Sequence, residues 1–434
     1  MRATVKPLLV VRFLAWWRSI PRRRKVWIGV FVASVVFFGS TVAFQGNQWL
    51  HSGLPWPDAY HSSLALDGFG HPHVALGTVD LRYETFSGAV WSSDLVDEGI
   101  SVDSISTRLD SVGHVHIAYG ARNFSRGYVT SDVNVKYATN AGGRWATSYI
   151  AYGASSPSIA VDSKGRIHLA YVSTGDFYDR NVSYRVLSGG IWSPRITLPG
   201  GGFEIGPITL DSSDHAYIPI GRMFPGYATN NHGSWEVVWL DSQMGTQSIP
   251  SLVVGSHEDL HMSYTAWSPS EKTRVLRYAT NEAGSWTYSS VDRLENTNVD
   301  LAVIAQGPSG QLQIMYNDFR AAPDYSISTL KHAVQTQGGW SVSVISSNAV
   351  LQNPASFAIG PGNKAHVIYV QESQGSRSVV YATKGLDAFI LATFLMENAF
   401  VLAVEVIVVG GALRKALHGR RGRPRVALRG KADH

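Results

Sequence analysis

One short pattern recurs seven times along this chain, and no other feature constrains the fold as much. Its fullest copy, Ser158 to Tyr171, reads SIAVDSKGRIHLAY. The others are LALDGFGHPHVAL, TRLDSVGHVHIAY, ITLDSSDHAYIPI, LVVGSHEDLHMSY, VIAQGPSGQLQIMY and FAIGPGNKAHVIY. Aligned on a turn, their anchors are Asp67, Asp110, Asp162, Asp211, Gly255, Gln306 and Gly360, 43 to 54 residues apart. A repeat of that length is one supersecondary unit that must stack on its neighbours to bury an apolar face.

Each unit reads as four strands. Strand A is apolar and ends at the anchor, and strand B carries His-x-x-Tyr. Strand C ends in Tyr-Ala-Thr, as at Tyr137 to Thr139, and strand D begins at a Trp. Those tryptophans are Trp91, Trp145, Trp192, Trp235, Trp286 and Trp340. The seventh unit stops at Tyr381 to Gly385 without one. Gly46-x-x-Trp49 matches Gly142-x-x-Trp145, so Trp49 to Leu54 is expected to supply the missing strand. The prediction is an all-β, seven-bladed β-propeller of four-stranded blades over residues 45–385, closed by an N-terminal strand that hides the sheet edges. The 42 glycines and 11% aromatics suit short strands and tight turns.

Cysteine is absent, which removes disulfides and thiolate metal sites. Charge is segregated. Residues 1–44 and 385–434 each carry eight Lys and Arg, whereas the body holds 28 of the 32 acids and only 21 basic residues. A net negative body argues against nucleic acid as a partner despite the pI of about 9.2.

Residues 26–44 are apolar, uncharged and just long enough to span a membrane as a helix. Arg22, Arg23, Arg24 and Lys25 precede them, which places segment 1–25 in the cytoplasm. A cleaved signal peptide is the alternative, but the apolar run is long for one and no small-x-small site follows. A second apolar run, 388–413, is followed by a basic tail, 414–434, also expected in the cytoplasm. The body is then extracytoplasmic. Glu397 and Glu405 lie within the second run, eight residues apart, and are expected to meet a polar partner helix or to be protonated.

The strand C to D turns resemble degenerate Asp boxes of the sialidase-type (BNR repeat) propellers. Ala138-Thr-Asn140-Ala-Gly142-Gly-Arg-Trp145 follows Ser-x-Asp-x-Gly-x-x-Trp with Ala for Ser and Asn for Asp. Asn230 and Asn281 stand in the same place before Trp235 and Trp286. In that family the box is a structural turn, so the resemblance implies fold more than activity. The family's Arg-Ile-Pro segment has no match; Pro194-Arg195-Ile196-Thr197 comes nearest, at a strand D.

His73, His116, His168, His261 and His366 share one position on strand B, with Tyr217 and Gln313 in the other blades. A position filled this way round a ring predicts a repeated hydrogen bond between blades rather than a metal site. His257-Glu258-Asp259-Leu260-His261 spells a zinc-protease string, but it falls across a turn into a strand, where the two imidazoles diverge. His71/His73 and His114/His116 have strand spacing and are read as edge and core residues. No metal and no cofactor is expected.

Loops joining strands B and C differ most between blades and are the expected recognition surface. The candidate ligand-binding residues there are Arg122, Tyr128, Asp179, Arg222, Trp267, Arg274, Asp318 and Arg320, a set suited to a glycan or protein ligand. Asn123-Phe-Ser125 and Asn181-Val-Ser183 are glycosylation sequons on the same side. The leading expectation is a binding module, read also as a subunit of a membrane complex; the alternative is a glycan-active enzyme, a sialidase-like hydrolase or a polysaccharide lyase.

Overall fold

The computed structural model describes Trp49–Lys384, apart from residues 57–58, 88–89, 126–127, 130–131, 174–179, 200–203, 222–223, 242–247, 295–300, 322–325, 351–355 and 374–375. Segments 1–48 and 385–434 belong to a second unit. Both apolar runs, with Glu397 and Glu405, lie outside the described residues. Among the described residues no helix is long and apolar enough to cross a membrane.

Seven separate antiparallel sheets follow one another along the chain. Blade 1 runs from His61–Leu66 through Pro72–Gly77 and Asp80–Ser87 to Val90–Glu98. Blade 2 is built of Ile100–Leu109, Val115–Ser125, Asn134–Thr139 and Ala146–Tyr152. Strand D of blade 3 breaks into Ile191–Trp192 and Ile196–Thr197 around Pro194, which has no N–H to donate to a ladder. Strand A of blade 4 breaks likewise, into Glu204–Ile205 and Thr209–Leu210, around Pro207. Blades 5 and 6 are regular.

Blade 7 closes the ring as expected. Trp49–Gly53 pairs antiparallel with Ser376–Lys384, Trp49 opposite Lys384 and Gly53 opposite Val380. The Leu54 N–H extends the ladder by donating to the Val379 carbonyl at 3.0 Å.

An aromatic contact explains why each blade keeps its Trp. Trp145 packs on Tyr83 of the preceding blade with ring centroids 5.2 Å apart. Trp192 meets Tyr137 at 5.4 Å, Trp235 meets Tyr184 at 4.7 Å, Trp286 meets Tyr227 at 6.2 Å and Trp340 meets Tyr278 at 5.2 Å. Trp91 meets Tyr381 of blade 7 at 5.7 Å, and Trp49 meets His332 of blade 6 at 5.2 Å. Every blade junction thus carries one Trp edge or tilted contact, each adding about 1 kcal/mol beyond its buried area. Trp49 fills the seventh place.

The strand B histidines do not bridge blades, contrary to expectation. His116 Nδ1 hydrogen-bonds the Tyr137 hydroxyl of its own blade at 2.5 Å, and His168, His261 and His366 meet Tyr184, Tyr278 and Tyr381 in the same way. His73 bonds Tyr83 likewise. Strands B and C are ladder neighbours, so this is the shortest route to a partner. The imidazole locks the tyrosine, and the tyrosine presents its ring to the next blade's Trp. In blade 6 the pair becomes Gln313 and His332, Oε1 to Nε2 at 2.8 Å.

Serines form the junction that does cross blades. Four residues before the anchor, Ser63, Ser106, Ser158 and Ser251 accept hydrogen bonds from the N–H groups of Thr107, Ile159, Ile208 and Ile304 in the next blade. Ser356 closes the series by donating to the Ser62 carbonyl at 2.7 Å.

The A–B turns carry a left-handed residue three after each anchor. It is Gly70, Gly113, Gly165 and Gly310 in four blades and Asp214, Glu258 and Asn363 in the others. This register makes Gly307 the anchor of blade 6, one residue beyond the expected Gln306: its N–H bonds the Gln311 carbonyl as Asp67 N–H bonds that of His71. Where the residue is not glycine, its side chain ties down the preceding turn. Asp214 accepts from the Ser163 N–H at 3.0 Å, Glu258 from the Ser212 N–H at 3.3 Å and Asn363 from the Ser309 N–H at 3.1 Å. Glu258, at φ +63°, is therefore a turn residue within the zinc-protease-like string, not part of a helix. Asn140, Asn230 and Asn281 of the degenerate boxes accept the N–H at the start of strand B, at 2.6–2.8 Å, as structural turns should.

Burial sets a pH dependence. It pushes His332 and His366 down to about 3, and lowers His73, His116, His168 and His261. Each holds its proton less tightly folded than unfolded. Their stabilisation is complete above the ordinary value of 6.5 and is lost as pH falls from there toward about 3. Asp110 and Asp162 act at lower pH. Burial works to raise them, but hydrogen bonds from their own hairpins outweigh it and hold both at about 2. Stability should therefore fall through pH 6 to 4, by up to about 1.4 kcal/mol per pH unit for each titrating histidine. Thermal melts across that range should show a shallower slope for His366→Gln, since glutamine already serves at this position in blade 6. An unchanged slope would assign the effect elsewhere.

Candidate functional site

Strands A begin on the same side as the B–C connections. There a small cavity of about 170 Å³ opens, lined by the first residues of strands A from several blades. Its charged and titratable lining is His61 and Asp103. Asp103 sits at a β-bulge, where the register of strand A against strand B shifts between Val102 and Ser104. A matching shift between Ser155 and Ser158 puts Ser156 at φ +52°. Bulges re-aim side chains, and two of them meet at this mouth.

Gly120 makes the arrangement feasible. A Cβ there would stand 2.1 Å from Asp103 Oδ1, so only glycine admits the carboxylate. Asp103 accepts from Ser104 Oγ at 2.9 Å and faces Arg122 Nη2 at 3.5 Å. Among the described residues Arg122 Nε, which is buried, has no hydrogen-bond partner. Burial lowers the His61 pKa; Asp103 opposes that shift and Arg122 adds to it. The mouth thus offers a neutral imidazole, a carboxylate already engaged and a guanidinium with donors to spare. Such a set grips ligand oxygens by directional hydrogen bonds.

Aromatic surface stands on the same side. Tyr149 and Tyr152 stack at 5.3 Å with planes 16° apart, and Tyr152 is 76% exposed. Asn123, at the end of strand B, accepts from the Tyr149 hydroxyl at 3.2 Å, and Lys136 Nζ lies 4.8 Å from the Tyr149 ring centre. Trp267, 47% exposed, is directly opposite Arg274 in the blade 5 hairpin.

The eight candidates divide accordingly. Arg122 is at the mouth, on strand rather than loop, because Val115–Ser125 runs longer than expected. Trp267 and Arg274 are likewise strand residues facing one another. Tyr128 and Arg320 lie on strands, in Tyr128–Val129 and Leu312–Ala321. Asp179 and Arg222 lie outside the described residues. Asp318 departs furthest from expectation. It is 6% exposed and receives a hydrogen bond from Lys331 at 2.7 Å, which also donates to Asp292 at 3.1 Å. Asp292 in turn accepts from the Tyr316 hydroxyl at 2.7 Å. Asp97 with Tyr119 and Lys136, and Asp241 with Tyr264 and Arg277, repeat this junction between other blades. Asp318 therefore belongs to a blade junction.

His61 and Asp103 escaped the sequence reading because both are on strands A, not on the variable connections. The available signal was charge: Asp103 is the one acidic residue of its strand, Ile100–Leu109. The His71 and His114 rings bond Asp67 and Asp110 of their own turns at 2.8 Å, so the spaced pairs are hairpin clasps. Among the described residues no group of three or more His, Asp or Glu is placed to hold a metal ion.

No protein-family model and no curated protein sequence matches this chain. Solved structures do match in fold. An ulvan lyase of polysaccharide lyase family 25 shares 12% identity over 80% of this chain and 99% of its own, with a TM-score of 0.50. The GH93 α-L-arabinofuranosidase of Fusarium graminearum shares 10% over 80% and 99%, TM-score 0.45. The NanB sialidase of Streptococcus pneumoniae shares 10% over 78% and 70%, TM-score 0.40. At such identities the likeness is one of fold. The chain is a seven-bladed β-propeller of four-stranded blades, consistent with the sialidase-like propellers that its turns resemble.

Proposed function

We propose that this protein is a membrane-anchored, extracytoplasmic recognition module that binds a glycan or protein with the face bearing its B–C connections. The observation that carries the reading is Arg122, with a buried Nε lacking a partner among the described residues, beside Asp103 and His61 at the mouth of the ring. The exposed Tyr149, Tyr152 and Trp267 on that side supply stacking surface for sugar rings or a partner's side chains. The apolar runs 26–44 and 388–413, with basic flanks, are the proposed anchors. They adjoin the propeller's two ends, Trp49 and Lys384, which are facing positions of one ladder. Glu397 and Glu405 are the proposed contacts to a partner helix.

A second reading, a glycan-active enzyme, is favoured by one feature: an imidazole kept neutral by burial beside a guanidinium suits proton abstraction next to a bound carboxylate. One experiment separates the two. Full-length protein is screened on a glycan array that includes acidic polysaccharides, with product release followed in parallel. Binding without release, weakened about tenfold or more by Arg122→Ala, supports recognition. Release abolished by His61→Gln moves the assignment to the enzyme. Binding untouched by Arg122→Ala and Trp267→Ala would remove this face from consideration.

A further inference from the structure

The axis of the ring holds a second, larger cavity of about 500 Å³, walled by strands A of all seven blades. Its width is set by one position of the repeat, two residues before the anchor. Six blades place a small residue there: Ala65, Ala160, Thr209, Val253, Ala305 and Ala358. Blade 2 places Arg108 there. Among the described residues Arg108 is the one charged side chain lining the cavity, and the rest of the wall is largely aliphatic, with Leu66, Leu109 and Val161 at neighbouring positions.

Arg108 has little to hold it. Among the described residues it forms one hydrogen bond, from Nη1 to the Thr107 carbonyl at 2.8 Å, and no carboxylate pairs with it. The acid of its own hairpin, Asp110, is occupied by His114 and by its own turn N–H groups. Burial alone lowers the Arg108 pKa, with no neighbouring anion to offset it. Arg108 is half-buried, and a guanidinium presents five donors in a planar fork, so an anion entering this aliphatic-walled channel finds a charge-assisted partner. A single positive charge balances a monoanion. A phosphate dianion would leave charge uncompensated against aliphatic walls. The volume is that of an ordinary small-molecule site.

We propose that the axial channel binds a small organic monoanion, a carboxylate on a compact apolar body, with the carboxylate forked by Arg108. This site is distinct from the mouth formed by His61, Asp103 and Arg122 and does not depend on its ligand.

Full-length protein is titrated calorimetrically with benzoate, cyclohexanecarboxylate and hexanoate, with benzamide as the neutral control. At least one carboxylate is expected to bind saturably, and benzamide about tenfold or more weaker, the difference a charge-assisted pair supplies. Arg108→Met is expected to abolish carboxylate binding, and Arg108→Lys to retain part of it. Ala305→Leu narrows the channel with the guanidinium intact and is expected to weaken binding as well, so the test stands even if Arg108→Met fails to fold. No saturable binding by any of the three acids, or binding indifferent to both Arg108→Lys and Ala305→Leu, would overturn the proposal.

Discussion

Deleting Trp49–Gly53 is expected to destabilise the propeller more than any single side-chain change. The deletion removes five ladder pairs from Ser376–Lys384 and the Trp contact that blade 7 makes with His332 of blade 6. Trp49 alone, half-buried and set edge-on to His332, should cost about 2–4 kcal/mol on replacement by alanine. The whole strand costs more, because its loss also bares the edge of Ser376–Lys384, and an unpaired edge recruits other chains. Thermal melting with size-exclusion chromatography reads both effects: a lower Tm and the appearance of oligomers. A synthetic peptide spanning Gln45 to Leu54, added in excess, should restore part of the loss. A deletion variant that melts with the parent and stays monomeric would show that the ring does not rely on this strand.

Lys331→Met should produce the next largest loss, about 3–5 kcal/mol. Lys331 stands between Asp292 and Asp318 and is mostly buried. Burial works to lower its pKa, but its bonds to the two carboxylates prevail and raise it. Without the ammonium, two carboxylates are left close together in a place water reaches poorly. The variant should therefore gain stability on mild acidification, as one carboxyl takes a proton, where the parent loses it. Adding Asp318→Asn should recover part of the deficit at neutral pH, and a double-mutant cycle measures the coupling. If Lys331→Met melts with the parent across this range, the cluster is solvated and the junction is held by Tyr316 and the ladder alone.

What could be read from the chain followed what every blade needs. The Trp, the Tyr on which it packs and the His that fixes the Tyr recur because each junction requires them, and the closing Trp49 was legible because it fits that series. Blade 6 shows the limit of such reading: Gly-Pro-Ser-Gly offers two anchors, and only the left-handed turn position selects Gly307. The partner of the strand B histidines was misjudged because a repeated position implies a repeated bond without saying whether it lies within or between blades. The mouth, Arg122 apart, and the axial channel resisted. His61, Asp103 and Arg108 are departures from the repeat, and a departure has no companion copies to reveal it. Asp103 also owes its direction to a bulge and to the empty space at Gly120, neither of which leaves a pattern in the residue types.

The closing ladder also sets a timetable. Trp49–Gly53 is the first strand of the propeller to leave the ribosome, and its partner Ser376–Lys384 is the last. At ordinary synthesis rates of about 5–20 residues per second, the first strand waits roughly 20–70 seconds for the last. Blades 1 to 6 can form in order behind it, but until the last strand arrives they form an arc with two unpaired ends. A factor that shields an extended, tryptophan-bearing segment during that interval would speed maturation of this protein without altering the finished fold.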